Sequence, residues 1–218
     1  HDFWQMLNVN ARGAVVESVT PGVKVGGEVT RGVLLRKDLG YTGQEAATLV
    51  TIQKLVSLTS FFLINVFAFT HISRQIDGLW GTAVEVLVYV FLLGFIGLVL
   101  ALFAATTWLE ERIVPYTPKR RWLAVLHGYA TTLFDSIRSV KGTRGELFKQ
   151  FGLSMIIWLL YPVKMILLVH LFTTQYNPII LAEVTFIAYM VGMIPLLPGG
   201  LGSFEATMTG LLVAMQIE

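Results

Sequence analysis

The chain has 218 residues, of which 55% are apolar and only 14% charged, and its mean hydropathy is +0.68. That excludes an ordinary soluble domain and points to a helical membrane protein. A formal net charge of +2 gives nucleic acid no footprint, and the absence of cysteine excludes disulfides, iron–sulfur clusters, thiolate zinc sites and cysteine nucleophiles. The chain opens at His1 without a signal-peptide pattern and stops at Glu218 directly after an apolar run, so a piece of a longer protein is expected.

Five apolar regions follow one another. The first, Phe3 to Leu35, is weakly apolar and is interrupted by the run Pro21–Glu28. The second spans Ala46 to Phe69, the third Ala83 to Leu109 and the fourth Phe151 to Phe172. Each of these three meets the roughly 20 residues that a helix needs to cross the hydrocarbon. The fifth, Pro178 to Ile217, is interrupted by Pro195, Pro198 and three glycines. It is read as two half-helices, or as a re-entrant hairpin followed by a helix.

Basic residues in short loops set the orientation. Arg31, Arg36 and Lys37 precede the second region, and residues 110–150 carry Arg112, Lys119, Arg120, Arg121, Arg138, Lys141, Arg144 and Lys149. Between the second and third regions stand only His71 and Arg74, beside Asp77, and the stretch from Gln175 to Pro178 is uncharged. The expected topology has residues 31–44 and 110–150 in the cytoplasm, with 70–82 and 173–178 outside. Within the 110–150 link, Thr117-Pro118 reads as a helix start. Trp122, Leu126, Tyr129, Leu133, Ile137 and Val140 then share one face, predicting an amphipathic helix over 118–141. It either lies on anionic lipid or packs under the bundle.

Two Pro-Gly dipeptides are each followed by a glutamate seven residues after the proline. The first is Pro21-Gly22 with Glu28, in E-S-V-T-P-G-V-K-V-G-G-E from Glu17. The second is Pro198-Gly199 with Glu205, in I-P-L-L-P-G-G-L-G-S-F-E from Ile194. Proline and clustered glycine break a helix, and in lipid a break persists only where it lines a protein-enclosed or wet cavity. Such breaks near opposite ends of the chain are the pattern of a transporter made of inverted halves. The expected fold is therefore all-α: a polytopic helical membrane protein, a single transmembrane domain over 1–218, with two broken or re-entrant segments as inverted repeats.

In the first break, Gly26 and Gly27 precede Glu28 and Arg31, which are neighbours three apart on a helix, and Lys24 adds a positive charge. Free N–H groups at that helix start can hold an anion such as phosphate. The plainer alternative is an ion pair at the membrane edge. In the second break, Gly199, Gly200 and Gly202 allow unusual backbone angles, Ser203 is the expected cap, and Glu205 falls in the first turn. Close packing through small residues is the alternative there. Lys164 lies mid-segment, two residues after the kinking Pro162, and is expected to face a polar cavity or pair with Glu205 or Glu28. His170 is read as interfacial; Glu17, Glu183 and Glu85 could line a path, but near segment ends exposure is the simpler explanation, and Lys54 is read as snorkelling inward. No zinc helix, P-loop or nucleophile elbow is present, so no catalytic group, metal or cofactor is expected.

These residues carry a resemblance. G-G-E followed by arginine, ending the first Pro/Gly-rich stretch, and the late P-G-G-L-G-S-F-E, in that order with membrane segments between, resemble the transmembrane, flippase-like region of the lysylphosphatidylglycerol synthase family. The resemblance covers nearly the whole chain and implies a stand-alone member without the soluble synthase domain, hence not an enzyme. It implies translocation between leaflets of an anionic phospholipid, one modified with an aminoacyl or sugar group, or a polyprenyl lipid. The path-lining residues it implies are Glu17, Pro21, Gly26, Gly27, Glu28, Arg31, Pro198, Gly199, Gly200, Gly202 and Glu205. Membrane lipid is the expected ligand, a lipid-modifying synthase or glycosyltransferase and a second copy of the chain the candidate partners, and the cell membrane the location. Two other readings stay open: a non-catalytic membrane partner of such an enzyme, and an ion-coupled carrier of a small solute.

Overall fold

A computed structural model of the chain describes residues 3–19, 26–75, 78, 81–115, 121–142, 144–193 and 202–215. Among the described residues there are nine α-helices and no strand: α1 (Phe3–Val19), α2 (Gly26–Leu39), α3 (Gly43–Gln75), α4 (Thr82–Ala104), α5 (Thr106–Ile113), α6 (Arg121–Gly142), α7 (Arg144–His170), α8 (Pro178–Gly192) and α9 (Ser203–Ala214). The all-α membrane class holds. Pro21, Gly22, Lys24, Asp77, Thr117, Pro118, Pro195, Pro198, Gly199 and Gly200 lie outside the described residues.

Among the described residues, three helices are long and apolar enough to cross a membrane: α3, α4 and residues 147–170 of α7. At 1.5 Å per residue, the 33 residues of α3 reach about 50 Å, well beyond a hydrocarbon core of about 30 Å. In α4 and α7 only 11% of the apolar window is buried by protein, which leaves Leu87, Leu98, Leu100, Ile156 and Leu167 to face lipid. The third apolar region is not one helix, because α4 ends at Ala104 and α5 begins at Thr106. Pro162 lies within a continuous α7.

The chain divides into two compact units, and α3 supplies residues 43–56 to the first and 57–75 to the second. In the first, α1 and α2 run antiparallel, with Val9, Leu35 and Ala46 buried among Met6, Leu34, Leu39, Tyr41 and Val50. A tight turn joins α2 to α3. Gly40, at φ +73°, ends α2 in the left-handed conformation, and Tyr41 N–H donates to the Leu35 carbonyl. Thr42 then caps α3 reciprocally with Glu45: Glu45 N–H donates to Thr42 Oγ1, and Thr42 N–H to Glu45 Oε2.

The amphipathic α6 packs against α5, with Phe134 and Ile137 buried. His127 Nε2 donates to the Ile113 carbonyl at 2.8 Å, and Arg138 pairs with Glu110 at 2.6 Å. Of its two expected roles, the structure displays packing within the protein.

The second unit surrounds α8, in which every residue from Val184 to Ala188 is buried. Five consecutive buried positions cover more than one helical turn, so all faces of α8 meet protein. Phe61, Phe62, Phe69 and Ile72 of α3, Leu92 of α4, and Met208 and Leu211 of α9 complete this core. Asn177 caps α8, accepting from Ile179 N–H at 2.9 Å with Pro178 at the first helical position.

Candidate functional site

The first unit gathers four charged side chains from three helices. Gly13 and Glu17 are four apart and share one face of α1, and Gly27 and Arg31 share one face of α2. The glycines let the two faces touch. A Cβ on Gly27 would stand 2.8 Å from the Gly13 carbonyl oxygen and 2.8 Å from Glu17 Cβ, and a Cβ on Gly13 would stand 2.6 Å from Arg31 Cγ. Across that crossing Arg31 donates to Glu17 Oε2 at 3.4 Å and, three residues along its own helix, pairs with Glu28 Oε1 at 2.9 Å. Lys54, from α3, reaches the same Glu28 oxygen at 3.0 Å.

The cluster is a chain, Glu17–Arg31–Glu28–Lys54, with two carboxylates balancing two cations. The side chains of Arg31, Glu28 and Glu17 are 15%, 19% and 21% exposed and that of Lys54 is 37% exposed. Charge in a membrane protein is costly unless paired, and losing one partner strands the other. Lys54 is its most accessible member, and Glu28 Oε1 is divided between two cations. Arg31 Nε is buried without an acceptor among the described residues. An incoming anion can therefore take Lys54 while Glu28 and Glu17 both keep Arg31.

Beside the cluster lies a groove of about 410 Å³ with Glu28 in its wall. One face of α2 (Val29, Gly32, Val33, Arg36) and one of α3 (Gly43, Ala46, Ala47, Val50, Thr51) form its sides, and Tyr129 of α6 closes one end. The Tyr129 and Thr51 hydroxyls hydrogen-bond to each other.

The candidates from the second break belong to the second unit. Gly202, not Ser203, is the N-cap of α9, with φ at +86°, a region favouring glycine. Its N–H donates to Glu205 Oε2 at 2.7 Å, so the exposed Glu205 closes its own helix start. Lys164 is exposed, and its ammonium lies 4.8 Å from the centre of the Tyr161 ring. Within its own unit Lys164 makes this cation–π contact, while Glu205 bonds to the Gly202 N–H.

Other expectations are corrected too. Glu17 is ion-paired rather than simply exposed, and Lys54 pairs rather than snorkels. Glu183, its side chain 16% exposed, meets His71 Nδ1 at 2.8 Å, and His71 Nε2 lies 3.2 Å from Gln75 Nε2. His170 meets the Tyr176 hydroxyl at 3.3 Å. Gly13, Thr51 and Tyr129 went unread as site residues. Gly13 alone had a signal, its four-residue spacing from Glu17. The other two sit together only because α6 folds beside α3.

The family model that describes the lysylphosphatidylglycerol synthase TM region matches residues 2–218. A UPF0104 membrane protein of Methanothermobacter thermautotrophicus (strain Delta H) is 28% identical, the match covering 90% of this chain. The chain spans about 61% of that relative's length. No solved structure matches. Glu17, Gly27, Glu28 and Arg31, singled out by the resemblance, are the residues that converge between α1 and α2, and the family match spans them. The chain belongs to the family of lysylphosphatidylglycerol synthase transmembrane regions, a membrane lipid-related family.

Proposed function

We propose that the chain moves a membrane lipid between leaflets: an anionic phospholipid, one modified with an aminoacyl or sugar group, or a polyprenyl lipid. The observation that carries this is the balanced Glu17–Arg31–Glu28–Lys54 chain beside an open groove in a protein whose longest helices are apolar. A lipid phosphate exchanges for Glu28 on Lys54 and Arg31, and the released carboxylate takes an amine or hydroxyl of the headgroup. For a headgroup that carries an amine, each charge of the cluster keeps a partner through the exchange, which lowers the cost of moving that headgroup.

Four short helices fit such a role. α1, α2, α8 and α9 have 17, 14, 15 and 12 residues, each under the length of a full span. Each unit holds one short pair, α1–α2 in the first and α8–α9 in the second, as two related halves with broken helices would. In this reading the chain is not an enzyme, and a lipid-modifying synthase or glycosyltransferase supplies its substrate. It sits in the cell membrane with residues 110–150 in the cytoplasm. The test is reconstitution into liposomes with a headgroup-labelled phosphatidylglycerol, following loss of inner-leaflet label to an impermeant quencher. Protein-containing vesicles should lose that label faster than empty ones, and equal rates would end the proposal.

A further inference from the structure

The groove between α2 and α3 has a chemistry of its own. Consecutive helices joined by a turn as tight as Gly40–Thr42 ordinarily close on each other, because protein interiors pack without large voids. These leave about 410 Å³ open. The middle of the groove is apolar, with Val29 and Val33 facing Ala46, Ala47 and Val50. Its width comes from absent side chains: a Cβ on Gly32 or Gly43 would meet nothing within 4 Å.

The polar groups sit at its two ends and differ. At one end Thr51 and Tyr129 bond to each other, and Glu28 is held by Arg31 and Lys54, so the charges at this end are already paired. At the other, eight residues or about 12 Å along α2, stands Arg36, exposed and without an ion pair among the described residues. An apolar trough ending at one uncompensated guanidinium complements one molecule type: an apolar chain carrying an anion. Arginine's planar fork suits the two oxygens of a phosphate.

We propose that this groove binds one anionic phospholipid, an acyl chain lying along Val29, Val33, Ala46, Ala47 and Val50 and the phosphate at Arg36. The site deepens the translocation reading by naming its ligand class. It rests on that reading only for the choice of a membrane lipid. Held there, the lipid waits one groove-length from the charge chain that shares Glu28.

Binding is measured on the whole chain in detergent, by native mass spectrometry with dimyristoyl phosphatidylglycerol or dimyristoyl phosphatidylcholine, and no flipping is involved. Wild type should retain one phosphatidylglycerol in preference to phosphatidylcholine. Gly32→Leu projects its side chain into the open trough and favours helix, so it should fold normally and bind at least about tenfold more weakly. Arg36→Gln should abolish the preference for phosphatidylglycerol. Gly97→Leu, on α4 with equally open space, should bind as wild type. Thermal unfolding of each variant guards against misfolding. The proposal is overturned if Gly32→Leu binds as wild type, if Arg36→Gln keeps the preference, or if glycerol phosphate displaces the lipid at equal concentration, which would mark a site for a soluble anion. It is also overturned if a longer form of the chain covers the groove with its own segment and retains no lipid. Binding without accelerated flipping would leave this site standing and remove the translocation reading.

Discussion

Gly27→Ala and Gly32→Ala add the same methyl group to the same helix and should change stability in opposite directions. At Gly27 the new Cβ would lie 2.8 Å from the Gly13 carbonyl oxygen, 2.8 Å from Glu17 Cβ and 2.9 Å from Glu17 Oε2. The first two atoms cannot rotate away. Ordinary contact begins near 3.4 Å, so α1 and α2 must separate by about 0.6 Å. Overpacking of this kind costs about 1–3 kcal/mol. The Arg31–Glu17 contact, already 3.4 Å, would open to the edge of an ion pair and add to the loss. At Gly32 nothing lies within 4 Å, so the substitution only removes the backbone entropy cost of a mid-helix glycine, a gain of about 0.5–1 kcal/mol. Thermal unfolding in detergent, followed by size-exclusion chromatography, should show Gly27→Ala melting several degrees below wild type and Gly32→Ala at or above it. A shift of both in the same direction would refute the close crossing of α1 and α2.

Further expectations concern other parts of the chain. A double-mutant cycle of Glu28→Gln and Lys54→Met should give a coupling of about 0.5–1 kcal/mol, the lower figure set by the exposure of Lys54, and zero coupling would remove Lys54 from the cluster. Glu205→Ala should cost about 0.5–1.5 kcal/mol in thermal unfolding by freeing the Gly202 N–H, and should leave lipid flipping at the wild-type rate per folded molecule. Because the chain has no cysteine, orientation can be read from single introductions. Asp77→Cys should react with an impermeant reagent from outside the cell and Lys149→Cys only after permeabilisation, and the reverse pattern would invert the topology.

The fold was legible where a physical signal was local. Apolar length alone marked α3, α4 and α7, and proline with glycine marked the ends of α1, α2, α8 and α9. The 3-and-4 periodicity after residue 118 located α6 within a few residues. Glu28 and Arg31 were legible as a pair because both lie on one helix. Lys54 and Glu17 were not, since 26 and 14 residues separate them from their partners and only tertiary packing unites them. The contact of Lys164 with the Tyr161 ring one turn away was not legible, because a mid-segment cation points to a polar cavity or a carboxylate before it points to an aromatic ring. Gly202 misled because serine is the commoner cap; a backbone at φ +86° is what glycine allows and serine resists.

The central claim is that the charge chain between α1, α2 and α3 handles a lipid headgroup. The most direct measurement is the flip rate of labelled phosphatidylglycerol in liposomes bearing Glu28→Gln, set against Asp38→Asn, which alters an exposed pair with Arg12 away from the cluster. At equal amounts of folded protein, Glu28→Gln should slow flipping at least about tenfold, a barrier increase of about 1.4 kcal/mol, and Asp38→Asn should match wild type. Equal rates for all three proteins would contradict the claim.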